Sequence, residues 1–337
     1  MLPVLASRGY ERERARAPAT SMSVEAIPGV HGRGAVAAPP PDFLVIGMQK
    51  SGTHWITAML NFHPQIRCFP SLPQQVGGDG SPPARLFHIM ARLDTDYPSF
   101  RKSMRRTLNK TFADLVPESE PRTATERREL RMALRDRFSA YCDEQRRLHG
   151  KPLVGEKTAE TVHQIDLVDE LFPGIKKVCI LRDPRDRVVS FHHHEIRKGR
   201  REERAISEED VDDYLEKFLR RDYRGLLKVG EPFFLLSYEQ LHEDPVPVIE
   251  RLLGFIGAAP GQAEAMAEAA SFERLSGRQP AVEDRSSYYR KGVVGDWHEK
   301  LEPHVAQRIV DGLEDLTRAV ELRHGFDLGA YRSPTGR

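Results

Sequence analysis

The stretch Asp42 to Asn61, DFLVIGMQKSGTHWITAMLN, constrains the fold more than any other part of this chain. Its apolar run from Phe43 to Ile46 reads as a buried strand, Gly47 to Gly52 as a tight turn, and Thr53 as the opening of a helix. A helix N-terminus carries unpaired backbone N–H groups and the positive end of the peptide dipole, so the turn has the outline of an anion site. Lys50 adds a charge, and Ser51 and Thr53 add hydroxyl donors. Each charge-assisted hydrogen bond contributes roughly 1.5 to 3 kcal/mol, so a few of them hold a phosphate at micromolar affinity. The common nucleotide loop GxxxxGK[ST] carries its Lys after the second Gly. Here Lys50 and Ser51 precede Gly52, and the match to that loop is poor.

Strand, turn and helix recur along the chain. Lys151 to Glu156 (KPLVGE), Lys176 to Leu181 (KKVCIL) and Pro232 to Tyr238 (PFFLLSY) read as further strands, with helices over Val162 to Phe172 and Val246 to Gly257. Val211, Tyr214, Leu215, Phe218, Leu219, Tyr223, Leu226 and Leu227 recur at helical spacing and predict one long amphipathic helix. Val305, Ile309, Leu313, Leu316 and Val320 mark a closing helix. This alternation predicts right-handed βαβ units and an α/β fold, a central, mostly parallel sheet flanked by helices, in a single domain over residues 42–333. Residues 1–41 are rich in Ala, Pro, Gly and Arg without apolar periodicity and read as a flexible leader ending at Pro39-Pro40-Pro41, with Met22 as an alternative start. The Pro/Gly/Gln loop from Phe69 to Pro83 is long enough to border a site.

A net charge of +1 argues against a general polyanion binder. Local excess exists between Arg101 and His149, where thirteen Lys/Arg face eight Asp/Glu on two expected helices. Opposite charges are interleaved there, which favours a solvated helix pair over a nucleic-acid-binding face. Three cysteines, Cys68, Cys142 and Cys179, are too scattered for a disulfide framework or a clustered metal site, and reduced thiols imply a cytoplasmic setting. No apolar run approaches the roughly 18 residues of a membrane span, and no signal peptide is evident.

Two further segments carry chemistry. LRDPRDRVVSFHHHE, Leu181 to Glu195, leaves a strand with Arg182 at its carboxyl end, where open parallel sheets bind ligands, and Ser190 faces the same point from the following helix. His192, His193 and His194 point about 100° apart on a helix and do not converge on one metal. RKGVVGDWHEKL, Arg290 to Leu301, places Arg290 and Lys291 beside Gly292 on a stretch able to close over an anion.

Taken in order, QKSGTHW (Gln49 to Trp55), LRDPRDRVVSFHHH, LLSYEQLHEDP (Leu235 to Pro245), SFERL (Ser271 to Leu275) and RKGVVGDW resemble the motifs of sulfotransferases that use 3'-phosphoadenosine 5'-phosphosulfate (PAPS). The resemblance spans roughly Asp42 to Leu301. It implies a P-loop-kinase-like three-layer architecture and a reaction that leaves PAP as product. Lys50, Ser51, Gly52 and Thr53, with His54 beside them, would hold the 5'-phosphosulfate, Lys50 also stabilising the departing phosphate oxygen. Arg182, Ser190, Arg290, Lys291 and Gly292 would hold the 3'-phosphate. Trp55 and Phe272 would stack on the adenine, and Tyr238 would contact the base region. A sulfuryl group carries less negative charge than a phosphoryl group, so side-chain cations can replace magnesium and no metal is expected.

The acceptor, a hydroxyl or amine on a carbohydrate, lipid or small alcohol, needs a general base. The cytosolic branch of the family has a His where KTAET has Ala159. The carbohydrate and tyrosine branches place a Glu after the first helix, where CFPSLPQQ holds no carboxylate. Lys157 matches a lysine kept near the sulfuryl group, and Glu160, His163 and His88 are the candidate bases. The enzymatic rival, a nucleotide-dependent kinase, predicts magnesium dependence and indifference to a 3'-phosphate.

Overall fold

Strand β1, Phe43–Val45, is fully buried and lies at the centre of a five-stranded sheet. The order is β2-β3-β1-β4-β5, where β2 is Ile66–Phe69, β3 Leu153–Lys157, β4 Lys176–Leu181 and β5 Phe233–Ser237. Every pairing is parallel, with Leu44 opposite Glu156 on one side and Lys177 on the other. A computed structural model of the chain describes residues 37–70, 85–107, 112 and 114–333. The chain divides into two units, Met1–Ala37 and Ala38–Arg337, and all the elements named here belong to the second. Most of the expected leader, and residues 71–83 of the expected Pro/Gly/Gln loop, lie outside the described residues.

Side chains alternate across a strand, so β1 feeds two cores. Leu44 and Ile46 join Val154, Cys179 and Leu181 on one face, where helix α2, Ala124–His149, contributes Leu134 and Phe138. Phe43 and Val45 join Val178, Ile180 and Leu236 on the other, covered by helix α1, Thr53–Phe62, through Ile56, Met59 and Leu60. Three layers follow, as the sequence predicts.

Several boundaries differ from expectation for local reasons. Lys151 is not part of β3: its ammonium donates to the carbonyls of Asn61, His63 and Ile66 at 2.8–2.9 Å and closes the end of α1. β2 is a strand the sequence reading did not contain, and its buried Arg67 interrupts the apolar run. The helix expected from Val162 begins as a 3-10 turn, Ala159–Gln164, before Ile165–Leu171. The long amphipathic helix is Glu208–Tyr214 and Arg220–Lys228, joined through a π turn at Leu215–Leu219. The closing helix breaks into Pro303–Asp311 and Glu314–His324, and Arg220 donates to the Gly312 carbonyl at the break.

The basic helices are Tyr97–Thr107 and α2. Arg101 and Arg105 pair with Glu118, Arg127 and Arg131 with Asp94, Arg137 with Asp114 and Arg146 with Asp42. These pairings support the solvated helix pair over a polyanion-binding face. The three cysteines are free and buried. Among the described residues no helix is long and apolar enough to cross a membrane.

Candidate active site

The turn after β1 is shaped by backbone before it is shaped by charge. Lys50 has φ 64° and Gly52 φ 99°, both left-handed, and the Ser51 N–H and hydroxyl both donate to the Met48 carbonyl. A left-handed residue other than glycine costs roughly 1–2 kcal/mol, so the conformation of Lys50 is held from outside. Arg187 does this. Fully buried on helix α3, Pro184–Arg197, it donates Nε to the Gln49 carbonyl at 2.9 Å and pairs with buried Asp222. Helix α1 has no side-chain cap at its N-terminus, which leaves first-turn N–H groups for a ligand.

Lys50, Gly52, Thr53, His54 and Trp55 open onto a cleft of about 840 Å3 at the carboxyl edge of the sheet, together with Lys157 and Glu160 from the end of β3. The Lys157 ammonium lies 3.3 Å from His54 Nδ1. Burial, reinforced by Arg197 and Lys198 against the pull of Glu195, lowers the Lys50 pKa to about 8. Burial likewise lowers that of Lys157, and burial with Lys157 and Lys50 nearby holds His54 well below its usual value. The two crowded, desolvated lysines beside a neutral imidazole carry charge that an anion in the cleft would favour. Glu160 Oε1 accepts from Arg85 at 2.7 Å and from Gln49 at 3.1 Å.

The same cleft reaches Arg182, Ser190, Tyr238, Phe272, Arg290, Lys291 and Gly292. The Arg182 guanidinium sits 4.3 Å from the centre of the Tyr238 ring and donates to the Val293 carbonyl and to Asp186. Asp186, buried on α3, also accepts the N–H groups of Gly295 and Trp297 at 2.9 and 3.0 Å, which docks the Arg290 loop against the strand end. Arg290 pairs with Glu283 and Asp296, and Lys291 with Asp296 and Glu299. Gly292 has φ 65°, and a Cβ there would lie 2.1 Å from Phe272, so this loop approaches that ring as only glycine can. Trp55 packs edge-on to Tyr238 at 5.1 Å and donates its indole N–H to the Ala270 carbonyl.

Three expected site residues stand elsewhere. Ser51 is fully buried, its hydroxyl spent on Met48, and it shapes the turn without lining the cleft. His163 is 2.6 Å from Asp222, beside the Arg187 pair, and does not line the cleft. His88 bonds Arg92 at 3.2 Å and does not line the cleft either. The three consecutive histidines diverge as expected: His192 to Tyr214 and the Arg204 carbonyl, His193 towards Glu283, His194 to Arg197. Thr158, His194, Glu195 and Tyr288 line the cleft without having been expected there. The signal for Asp186 and Arg187 was present in RDPRDR, where only Arg182 was read as functional.

Fold and site together define an α/β protein with a cleft at the carboxyl edge of its parallel sheet, lined by two groups of cationic side chains. Residues 41–259 match the Sulfotransferase family, and the chain belongs to that family. Cytosolic sulfotransferase 16 of Arabidopsis thaliana is 31% identical over 169 residues, 42% of this chain and 49% of that protein. Flavonol 3-sulfotransferase of Flaveria bidentis is 29% identical over 177 residues, 44% of this chain and 56% of that protein. The chain spans about half the length of the curated relatives it matches. A mouse sulfotransferase complexed with PAP superposes with a TM-score of 0.50 at 16% identity, covering 87% of this chain and 88% of that one. That likeness concerns the fold, the P-loop-kinase-like three-layer architecture expected from the sequence.

Proposed function

We propose that the chain moves a sulfuryl group from PAPS to an acceptor hydroxyl and releases PAP. One observation carries this reading: a single cleft joins the uncapped N-terminus of α1, with Lys50 and Lys157, to a second cation set at Arg182, Arg290 and Lys291. Two separated anion sites with aromatic Trp55, Tyr238 and Phe272 on the same cleft fit a nucleotide bearing phosphate at both ends. Lys50 and the α1 N–H groups would take the 5' end, and Arg182, Ser190 and the Arg290–Gly292 loop the 3'-phosphate.

Sulfuryl transfer is a matter of in-line positioning and of charge stabilisation at the bond that breaks. Lys50 and Lys157, both held in a desolvated pocket, would stabilise charge as it develops on the leaving phosphate oxygen. Of the three expected bases only Glu160 faces the cleft, where it also fixes Arg85 and Gln49. The acceptor class is the one expected from the sequence, a hydroxyl or amine on a carbohydrate, lipid or small alcohol, with a hydroxyl preferred. Relatives named cytosolic support a cytoplasmic location, and residues 42–333 are proposed as the transferase domain.

Calorimetry with PAP and with 5'-AMP, both in chelator, tests the donor. Binding that needs the 3'-phosphate and no metal is expected; equal binding of both, or a magnesium requirement, refutes it and favours a kinase.

A further inference from the structure

Glu156 stands in β3 one residue before Lys157 and is 1% exposed. Its Oε1 accepts the Thr158 hydroxyl, while Oε2 has no hydrogen-bond partner among the described residues. A buried unpartnered oxygen is unusual, and charge on it without a partner is costly, so the resting carboxyl carries its proton. Burial pushes its pKa up to about 8, with Glu160 acting in the same sense and the Thr158 hydrogen bond and Lys157 opposing. The other titratable groups near it are the thiols of Cys68 on β2 and Cys142 on α2, both raised by burial and uncharged.

Thr158 connects this carboxyl to the cleft, which it lines beside Lys157 and Glu160. A hydroxyl has one hydrogen and two lone pairs. The Thr158 hydrogen goes to Glu156, and one lone pair receives the Arg85 N–H at 3.1 Å. The second lone pair is left for a group in the cleft.

We propose that Thr158 and Glu156 form the proton exit for the acceptor: the acceptor hydroxyl passes its proton to Thr158 Oγ1 while Thr158 passes its own to ionised Glu156. This rests on the sulfuryl-transfer reading. The acceptor oxygen bonds to sulfur, the bond from sulfur to the 5'-phosphate oxygen breaks with its electron pair on PAP, and Glu156 ends as the neutral acid. After product release that proton leaves to solvent along the same path. Thr158 touches the acceptor; Glu156 acts through it, as the positioned proton holder. The pair supplies the function that Ala159 cannot.

Glu156→Gln keeps the shape and accepts the Thr158 hydrogen bond but takes no proton. PAP release from PAPS, with water alone and with added benzyl alcohol, is expected to fall by about 10²- to 10⁴-fold in kcat, with PAP affinity by calorimetry unchanged. Because the base acts ionised, Glu156 gives the wild-type kcat/KM a rising limb up to about pH 8, below the falling limb that loss of the Lys50 charge sets, and the rising limb disappears in the variant. Thr158→Val reproduces the loss, Thr158→Ser restores activity, and Glu156→Asp, should Gln fail to fold, retains partial turnover. Infrared titration provides a readout independent of any acceptor: a buried protonated carboxyl must be present below that pH in the wild type and absent in Glu156→Gln. Wild-type turnover and pH profile in Glu156→Gln, loss confined to Glu160→Gln, or no protonated carboxyl overturns the proposal. Failure of the wild type to bind PAP overturns the donor reading instead, while the infrared result still decides whether Glu156 holds a proton.

Discussion

Replacing Asp186 by Asn tests whether the second anion site is assembled by a single carboxylate. Asp186 accepts two backbone N–H groups, from Gly295 and Trp297, and one hydrogen bond from Arg182. An Asn side chain has only one oxygen, so its amide nitrogen faces a donor, and one buried N–H loses its partner. A hydrogen bond to a charged group contributes about 1.5–3 kcal/mol and an orphaned buried donor costs about 1–3 kcal/mol, so the docked loop loses about 2–4 kcal/mol once partial overlap of the two terms is allowed. If the loop undocks in the free protein, that loss reappears as a fall of roughly 30- to 900-fold in PAP affinity. AMP, which lacks the 3'-phosphate, should lose far less. Calorimetry of both ligands measures the difference directly. An unchanged preference for PAP over AMP in a folded Asp186→Asn protein would refute the reasoning, because Arg182 and the Arg290 loop would then be positioned without it.

Lys50→Met should lower turnover by at least about 10²-fold while PAP still binds, as measured by single-turnover transfer and calorimetry. Lys50 acts as the cation and its pKa is lowered to about 8, so kcat/KM should fall as pH rises above that value; the kcat limb should lie higher, because the bound anion restores the charge. Gly292→Ala combines a left-handed φ with a Cβ 2.1 Å from Phe272 and should weaken PAP binding by more than about tenfold. Asp222→Asn strands fully buried Arg187 and should lower unfolding free energy by about 3–5 kcal/mol in urea melts. A smaller cost in the double variant Arg187→Met with Asp222→Leu would identify the pair as a positioning device rather than a source of stability.

The sequence made the central strands and the turn after β1 legible because both depend on local order. Phe43 to Ile46 is an unbroken apolar run, and the small residues after it can form little except a turn. β2 escaped because Arg67, buried in the fold, sits where an apolar residue is expected. That His163 pairs with Asp222, 59 residues on, is not legible locally. Asp186 and Arg187 lie inside a motif that was read for Arg182 alone; their targets, Gly295 and Gln49, are settled by folding. Glu156 could not be recognised from its neighbours either, since a carboxylate in a strand is ordinarily solvated and only the sheet's interior position of β3 removes it from water.

The strand order has a consequence for how such a protein diversifies. Lys50, Arg182 and Tyr238 follow β1, β4 and β5, whereas Lys157 ends β3 and Thr158 and Glu160 follow it, so the lining of the cleft descends from both sides of the central strand. On the proposed function, substitutions accumulating around β2 can therefore alter the acceptor while Lys50, Arg182 and Tyr238 stay in place. A chimera that exchanges the segment from β2 up to β3 with that of a relative, leaving Lys157 in place, should inherit the relative's acceptor preference and keep this chain's affinity for PAP.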